Sequence, residues 1–343
     1  MNVAILGPVF TSKYFGGVAT FDENLAMAFR ELGHNVCLYS NQKEVNKNSE
    51  GRVKVETINF ISASRIKNVD VIICSLQYIM YMPIIKAKCK IAFLHGFFQF
   101  AHYGMLKTLA AVTFQKVFFR FADFVVSNSR FTSLVNSEMY GIKSDGYVHL
   151  GVSYDYKEHL KNVQEKVYNR KPYTLLYTGR LVKPKRIDNL IRAVHVLKEK
   201  YQLDVQLNIV GEGEFKGELS SLVEELGLCE SVCFANRKSQ EEIAGEYLSN
   251  SIFVSLNPFE PYGITFCEAL MAGCKIICPD TGGQVEVLSQ YADRVKMVHE
   301  DEPENIAAAA AQLFMGNSVP LLSTDKFDYK KTALDMLQLV GRE

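Results

Sequence analysis

The sequence predicts an α/β protein of two domains, each built on a mainly parallel sheet. At 343 residues the chain is too long for one ordinary core and suits two domains of roughly 150 residues each. Short β-branched runs alternate throughout with stretches of helical spacing, the pattern of βα units. The alternation starts twice, on either side of a polar, charged stretch over 162–172.

In the first half, strands are expected over 2–6, 35–39, 53–58, 69–74, 90–94, 124–127 and 146–149, with a helix over 18–32 stopped at Gly33. In the second half they are expected over 174–177, 205–210, 232–234, 252–256, 275–278 and 295–298. These elements give a first domain over 1–165, a second over 166–325, and a closing helix over 326–343 with Leu334, Met336, Leu337 and Leu339 on its apolar side. Ligands of open parallel sheets bind beyond the carboxyl ends of the strands, so two sheets facing one another would place a site in a central cleft.

Composition narrows the classes of partner. With 48% apolar and 22% charged residues the chain has the material for cores, and disorder is excluded. Lys plus Arg and Asp plus Glu balance at 38 each, so no overall field draws the protein to nucleic acid or to anionic lipid, and any attraction must come from local patches. The eight cysteines sit mostly in apolar runs without a Cys-x-x-Cys pair, which reads as reduced core thiols in the cytoplasm with no metal ligands among them. Residues 3–6 already read as a strand, not as a signal peptide, and no apolar run reaches the length of a membrane-spanning helix.

The most informative segment runs from Phe259 to Gly273. Pro258 breaks the strand before it, which puts Glu260 in the loop at that strand's carboxyl end, while Glu268 falls about one turn into the helix that follows. A helix starting near Gly263 and Ile264 directs free N–H groups and partial positive charge toward an anionic or polar ligand. Read singly, both acids are equally ordinary solvated carboxylates.

A second segment, Tyr177-Thr178-Gly179-Arg180 through Lys185 and Arg186, reads as strand, glycine turn, cations and helix. Arg180 offers a bidentate fork and Lys185 a point charge, a pair able to clamp two phosphates; on composition alone the same cations make a solvated turn. Gly211 and Gly213 follow another strand and suit a close approach to a ligand, although the glycine spacing by itself is weak evidence. In the first half, Gly16 and Gly17 precede an amphipathic helix, as an anion-binding turn or a plain helix start. His95 follows an apolar strand at its carboxyl end, as a site residue or a structural core histidine.

Taken in order, the Gly16-Gly17 loop, the Thr178-Gly179-Arg180-Leu181 run with Lys185, the Val210-Gly211-Glu212-Gly213 turn and the stretch from Glu260 through Glu268 to Gly273 resemble glycosyltransferase family 4 of the GT-B superfamily. The resemblance covers nearly the whole chain. It implies two Rossmann-like domains facing a cleft, a closing helix that crosses back to the first domain, and retaining transfer of a hexose from a nucleotide-diphosphate sugar to a glycan or lipid-linked glycan acceptor. UDP-linked donors are expected ahead of GDP-linked ones.

The resemblance also implies roles: Arg180 and Lys185 on the diphosphate, Glu268 on the ribose hydroxyls, Glu260 on the sugar near the reacting carbon, Gly17 near the phosphates, His95 beside the transferred sugar, and Asn236 with Arg237 near the base. Two positions depart from the family's habit. Arg186 stands where a small residue is usual, and Pro261-Tyr262 replaces Gly-Phe or Pro-Phe. With no Asp-x-Asp pair, the two bases are expected to stand in for a metal ion, and no cofactor is expected.

The segment 97–124 is rich in Phe and carries Lys107, Lys116 and Arg120. It reads either as a helix lying on the inner face of a membrane, presenting the acceptor, or as a buried helix pair. The rival functions are a nucleotide-sugar epimerase of the same shape, which needs no acceptor, and a non-catalytic subunit that binds the sugar nucleotide.

Overall fold

The structure is a computed structural model that describes residues 1–9, 17–42, 53–164, 170–299, 302–317 and 319–341. The chain packs as two units, Met1–Ser153 with Phe327–Glu343, and Tyr154–Lys326.

The first unit runs β1 (Asn2–Leu6), α1 (Gly17–Glu31), β2 (Asn35–Ser40), β3 (Lys54–Thr57), α2 (Phe60–Ala63), β4 (Val69–Ser75), β5 (Ala87–Leu94), α3 (Phe100–Tyr103), α4 (Met105–Phe119), β6 (Phe124–Ser127), α5 (Arg130–Tyr140) and β7 (Gly146–Tyr147). Its strands pair in parallel in the order β3-β2-β1-β4-β5-β6-β7. The runs of Val, Ile and Leu in β1 and β4 are buried on both faces, as the interior of a parallel sheet requires. Helix α1 covers one face with Ala19, Phe21, Leu25, Ala26 and Phe29 at helical spacing, then stops at Gly33, whose φ of 84° a side chain disfavours.

The second unit runs α6 (Tyr154–Gln164), β8 (Thr174–Thr178), α7 (Ile187–Glu199), β9 (Gln206–Val210), α8 (Lys216–Glu225), β10 (Val232–Ala235), α9 (Gln240–Ser249), β11 (Ile252–Val254), α10 (Ile264–Met271), β12 (Lys275–Pro279), α11 (Gln284–Leu288), β13 (Val295–Val298) and α12 (Pro303–Met315). Its parallel sheet has the order β10-β9-β8-β11-β12-β13, the same winding as the first. The last helix, α13 (Tyr329–Leu339), belongs to the first unit, where it packs on α1.

The split by packing falls at 153/154, one helix before the boundary expected from the polar stretch at 165/166. Helix α6 packs on α9, and the buried Tyr156 donates to the Glu268 carbonyl at 2.9 Å, which ties α6 to the second unit. Segment 97–124 is broken at Gly104, where φ is 76°, into α3 and α4. Thr108 and Val112 are the buried positions of α4, while Met105, Leu106, Leu109 and Val117 are exposed. The helix thus has two faces: Val112, Phe114, Phe118 and Phe119 pack on the core, while the exposed residues form an apolar outer face.

Candidate functional site

Each sheet reverses its winding between its first strand and the fourth, at β1/β4 and at β8/β11. Because all strands are parallel, the loops leaving their carboxyl ends share one edge, and the reversal opens a crevice there. In the second unit that crevice lies between the loop after β8, which carries Arg180 and Lys185, and the loop after β11, which carries Asn257 and Glu260. The sequence-predicted residues Gly211, Asn236, Arg237 and Gly263 follow β9, β10 and β11 on the same edge.

The crevice is spanned by an ion pair. Lys185 Nζ lies 2.7 Å from Glu260 Oε2, with both side chains 21% exposed. Asn257 Nδ2 donates to the same oxygen at 3.1 Å. The loop that carries Glu260 is held from its other side by Gly283 N–H, which donates to the Glu260 carbonyl, and by Thr281 Oγ1, which donates to the Pro258 carbonyl. Arg180 is exposed at the strand end, its carbonyl fixed by the Tyr177 hydroxyl at 2.9 Å. Lys185 closes a 3₁₀ turn, Lys183–Lys185, and Arg186 follows in the left-handed region with φ 51°. In that conformation any residue with a Cβ bears roughly 1–2 kcal/mol of strain that glycine avoids.

Gly211 and Gly213 have a packing task alongside the ligand approach expected of them. A Cβ on Gly211 would lie 1.9 Å from the Gly179 carbonyl oxygen, and one on Gly213 would lie 2.2 Å from that of Leu181. The loop after β9 thus rests backbone to backbone on the loop after β8, and Gly179 N–H to Val210 O and Leu181 N–H to Glu212 O lock the two together. The glycines set the height of Arg180 by internal packing.

Glu268, the fifth residue of α10, turns toward α9, where the Tyr247 hydroxyl donates to its Oε2 at 3.4 Å. Thr178 at the end of β8 shares a 2.9 Å hydrogen bond with that hydroxyl. Burial pushes the Glu268 carboxyl up to about 7, against the lowering effect of Tyr247. Arg170 holds this corner from behind: its guanidinium donates to the carbonyls of Tyr247 and Asn250 at the end of α9 and of Ala272 at the end of α10. Gly263 caps α10 at φ 86° and Ile264 starts it. Asn236 and Arg237 are exposed, and Asn236 Oδ1 accepts from Lys216 Nζ at 3.3 Å. Among the described residues no group of three His, Cys, Asp or Glu can hold a metal ion.

In the first unit Gly17 is the first residue of α1, while Gly16 lies outside the described residues. His95 follows β5 on the carboxyl edge of its sheet. Its Nε2 lies 2.8 Å from Ser75 Oγ, and the ring stands edge-on against Phe21 and Phe93 with centroids 4.8 Å away. Ser75, Asp22, Asn257, Tyr247 and Arg170 escape a reading of the sequence. Only Asp22 leaves a signal there, as an acid at an apolar position of α1.

Two doubly wound parallel units with a closing helix that returns to the first are the architecture of GT-B glycosyltransferases. The fold matches the crystal structure of Anabaena HepE in complex with UDP and glucose at a TM-score of 0.74, with 15% identity over 99% of both chains. It also matches WaaG, a glycosyltransferase involved in lipopolysaccharide biosynthesis, at 0.65 with 16% identity, covering 91% of this chain and 90% of that one. Residues 159–321, which hold the ion pair and Glu268, match the family described as glycosyl transferases group 1, and this segment belongs to it.

Among curated relatives, an uncharacterized glycosyltransferase of Methanocaldococcus jannaschii is 29% identical over 133 residues, 39% of this chain and 33% of that protein. A Campylobacter jejuni N-acetylgalactosaminyltransferase acting on a diphospho-undecaprenol substrate is 34% identical over 107 residues, 31% of this chain and 27% of that one. The chain thus matches a third or less of the length of these two relatives.

Proposed function

We propose that the protein is a retaining, metal-independent hexosyltransferase that uses a nucleotide-diphosphate sugar, UDP-linked in preference to GDP-linked, to extend a glycan or lipid-linked glycan. The observation that carries the reading is the Lys185–Glu260 pair across the β8/β11 crevice, with Arg180 in the same loop as Lys185: two cations for a diphosphate and one carboxylate for a sugar. The UDP and glucose bound by the Anabaena neighbour support the donor class.

In this reading Arg180 and Lys185 meet the charge that grows on the diphosphate as the sugar C1–O bond breaks. The acceptor oxygen bonds to C1 on the same face, and its proton passes to the departing phosphate oxygen. Glu260 contacts the sugar near C1, Glu268 accepts from the ribose hydroxyls, Asn236 and Arg237 border the base, Gly17 approaches the phosphates and His95 stands beside the sugar. Incubating the protein with UDP- and GDP-sugars, with and without glycan acceptors, tests this. Donor consumption lost in Arg180→Ala and Glu260→Ala is expected. Turnover unchanged in both variants overturns the assignment, and an isomerised free sugar formed without acceptor points to an epimerase.

The Glu268 role predicts a pH dependence. A carboxyl near 7 accepts hydroxyl hydrogens best when ionised, so donor binding takes up the ionised form and weakens as pH falls below about 7. Donor Kd is expected to rise by up to about tenfold per pH unit below neutrality and to level off above it. In Glu268→Gln the profile becomes flat; an unchanged profile in that variant removes Glu268 from the nucleotide.

The exposed apolar residues of α4, with Lys107, Lys116 and Arg120 and no acid from 97 to 122, support docking on an anionic membrane face in the cytoplasm. No helix among the described residues is long and apolar enough to cross a membrane. The protein is expected to sediment with phosphatidylglycerol vesicles and less with phosphatidylcholine ones, and Leu106→Glu with Leu109→Glu is expected to release it. Equal recovery in the supernatant with and without anionic vesicles sinks the idea.

A further inference from the structure

The winding reversal of the first sheet holds a polar chain that the proposed transfer does not itself require. Ser75 is the last residue of β4, and β4 pairs with β5 in the register Ser75↔Phe93, which brings Ser75 diagonally opposite His95. On the other side Ser75 Oγ donates to Asp22 Oδ1 of α1 at 2.6 Å. Asp22 and Ser75 are fully buried. Gly7, just past β1, makes room for the acid: a Cβ there would lie 1.9 Å from Asp22 Oδ2. Among the described residues Oδ2 itself has no hydrogen-bond partner.

A buried acid with one unsatisfied oxygen is costly, by about 1–3 kcal/mol, and a Val or Ala at this apolar position of α1 avoids the cost. Its retention therefore needs a reason, and the geometry supplies one. A serine hydroxyl carries one hydrogen. With that hydrogen given to Asp22 Oδ1, Ser75 Oγ can only accept from the ring, so the hydrogen must sit on His95 Nε2. We propose that Asp22 is a positioning residue which, through Ser75, holds His95 as the Nε2–H tautomer and so presents Nδ1 as the ring's acceptor.

Burial among Phe21 and Phe93 holds the imidazole down to about 3, so the ring is neutral at physiological pH and the choice of tautomer is a real one. Burial likewise pushes the Asp22 carboxyl well above the usual carboxylate range. With Asp22 ionised, Oδ1 can only accept and the chain runs as described; a proton taken up at Oδ1 would instead be donated to Ser75 Oγ and reverse it, which histidine ¹⁵N spectra would show as an Nδ1–H ring. The inference deepens the proposed function, because a ring beside the transferred sugar then offers an acceptor to a sugar or acceptor hydroxyl and no donor from Nδ1.

Long-range ¹H–¹⁵N spectra of the full-length protein labelled at histidine, with the His95 signals assigned by their loss in His95→Gln, test this near pH 7. The wild type is expected to show an N–H-type shift at Nε2 and a bare-nitrogen shift at Nδ1. Ser75→Ala, which removes the link at small change in volume, and Asp22→Asn are expected to give averaged shifts from mixed tautomers, with kcat about tenfold lower and donor KM within about twofold. An Nδ1–H tautomer in the wild type, or an undiminished Nε2–H tautomer in a folded Ser75→Ala, overturns the proposal. The spectra decide this whether or not the protein turns over a sugar nucleotide. A wild type with the expected tautomer and no transfer would count against the proposed function alone.

Discussion

Lys185→Ala is expected to lower kcat/KM for the sugar nucleotide by about 100- to 1,000-fold, the range for loss of one preorganised group facing developing charge. The effect should be functional, with little change in folding. Lys185 and Glu260 are each 21% exposed and Glu260 keeps its hydrogen bond from Asn257, so loss of the pair is worth at most about 1 kcal/mol of stability. Lys185→Arg preserves the charge but carries a fork where the 2.7 Å contact takes a point charge, and an intermediate rate is expected. Steady-state kinetics alongside thermal melts check this. A Lys185→Ala enzyme within about twofold of wild type would mean the diphosphate is held elsewhere.

The largest stability effect is expected at Arg170. Its guanidinium joins the carbonyl ends of α9 and α10, where helix dipoles place partial negative charge, and Cys274 Sγ lies 3.5 Å from the same group. Arg170→Ala removes the guanidinium from three partly buried carbonyls at once and leaves those of Tyr247 and Asn250 only the weak Cys274 thiol donor, and about 3–5 kcal/mol is expected to be lost. For a unit of this size that lowers Tm by roughly 10 °C. Because α9 carries Tyr247 and α10 carries Glu268, donor affinity should weaken with it. Calorimetric melting of the variant tests this, and a Tm within about 2 °C of wild type would show that water replaces the guanidinium without cost.

Much of the fold was legible because parallel strands buried on both faces read as unbroken apolar runs. β1, β6 and β13 fall at their expected limits, and the other strands fall within a few residues of theirs. The ends of β7 and β11 are shorter than expected, because hydrogen bonding to a neighbour, which no single strand reveals, decides where pairing stops. Gly104 was visible as a residue but not as a break, since apolar spacing continues on both sides of it.

In the site, charge and position along the chain were enough to single out Arg180, Lys185, Glu260, Glu268 and His95. Their partners were not, because Lys185 meets Glu260 across 75 residues of sequence and the meeting follows from strand order. Gly211 and Gly213 show the limit from another side: a glycine announces close approach without saying to what, and here the neighbour is the chain's own backbone. Asp22 is the opposite case, a charge on an apolar helix face that only the hydrogen bond to Ser75 explains.

A diphosphate held by side-chain cations at the β8/β11 crevice is the central claim. Calorimetric titration of UDP into the protein, once in EDTA and once in magnesium, tests that most directly when repeated on Lys185→Ala. Equal affinity in both buffers and a loss of about tenfold or more in the variant are predicted. Binding that appears only with magnesium, or that survives undiminished in Lys185→Ala, would contradict it.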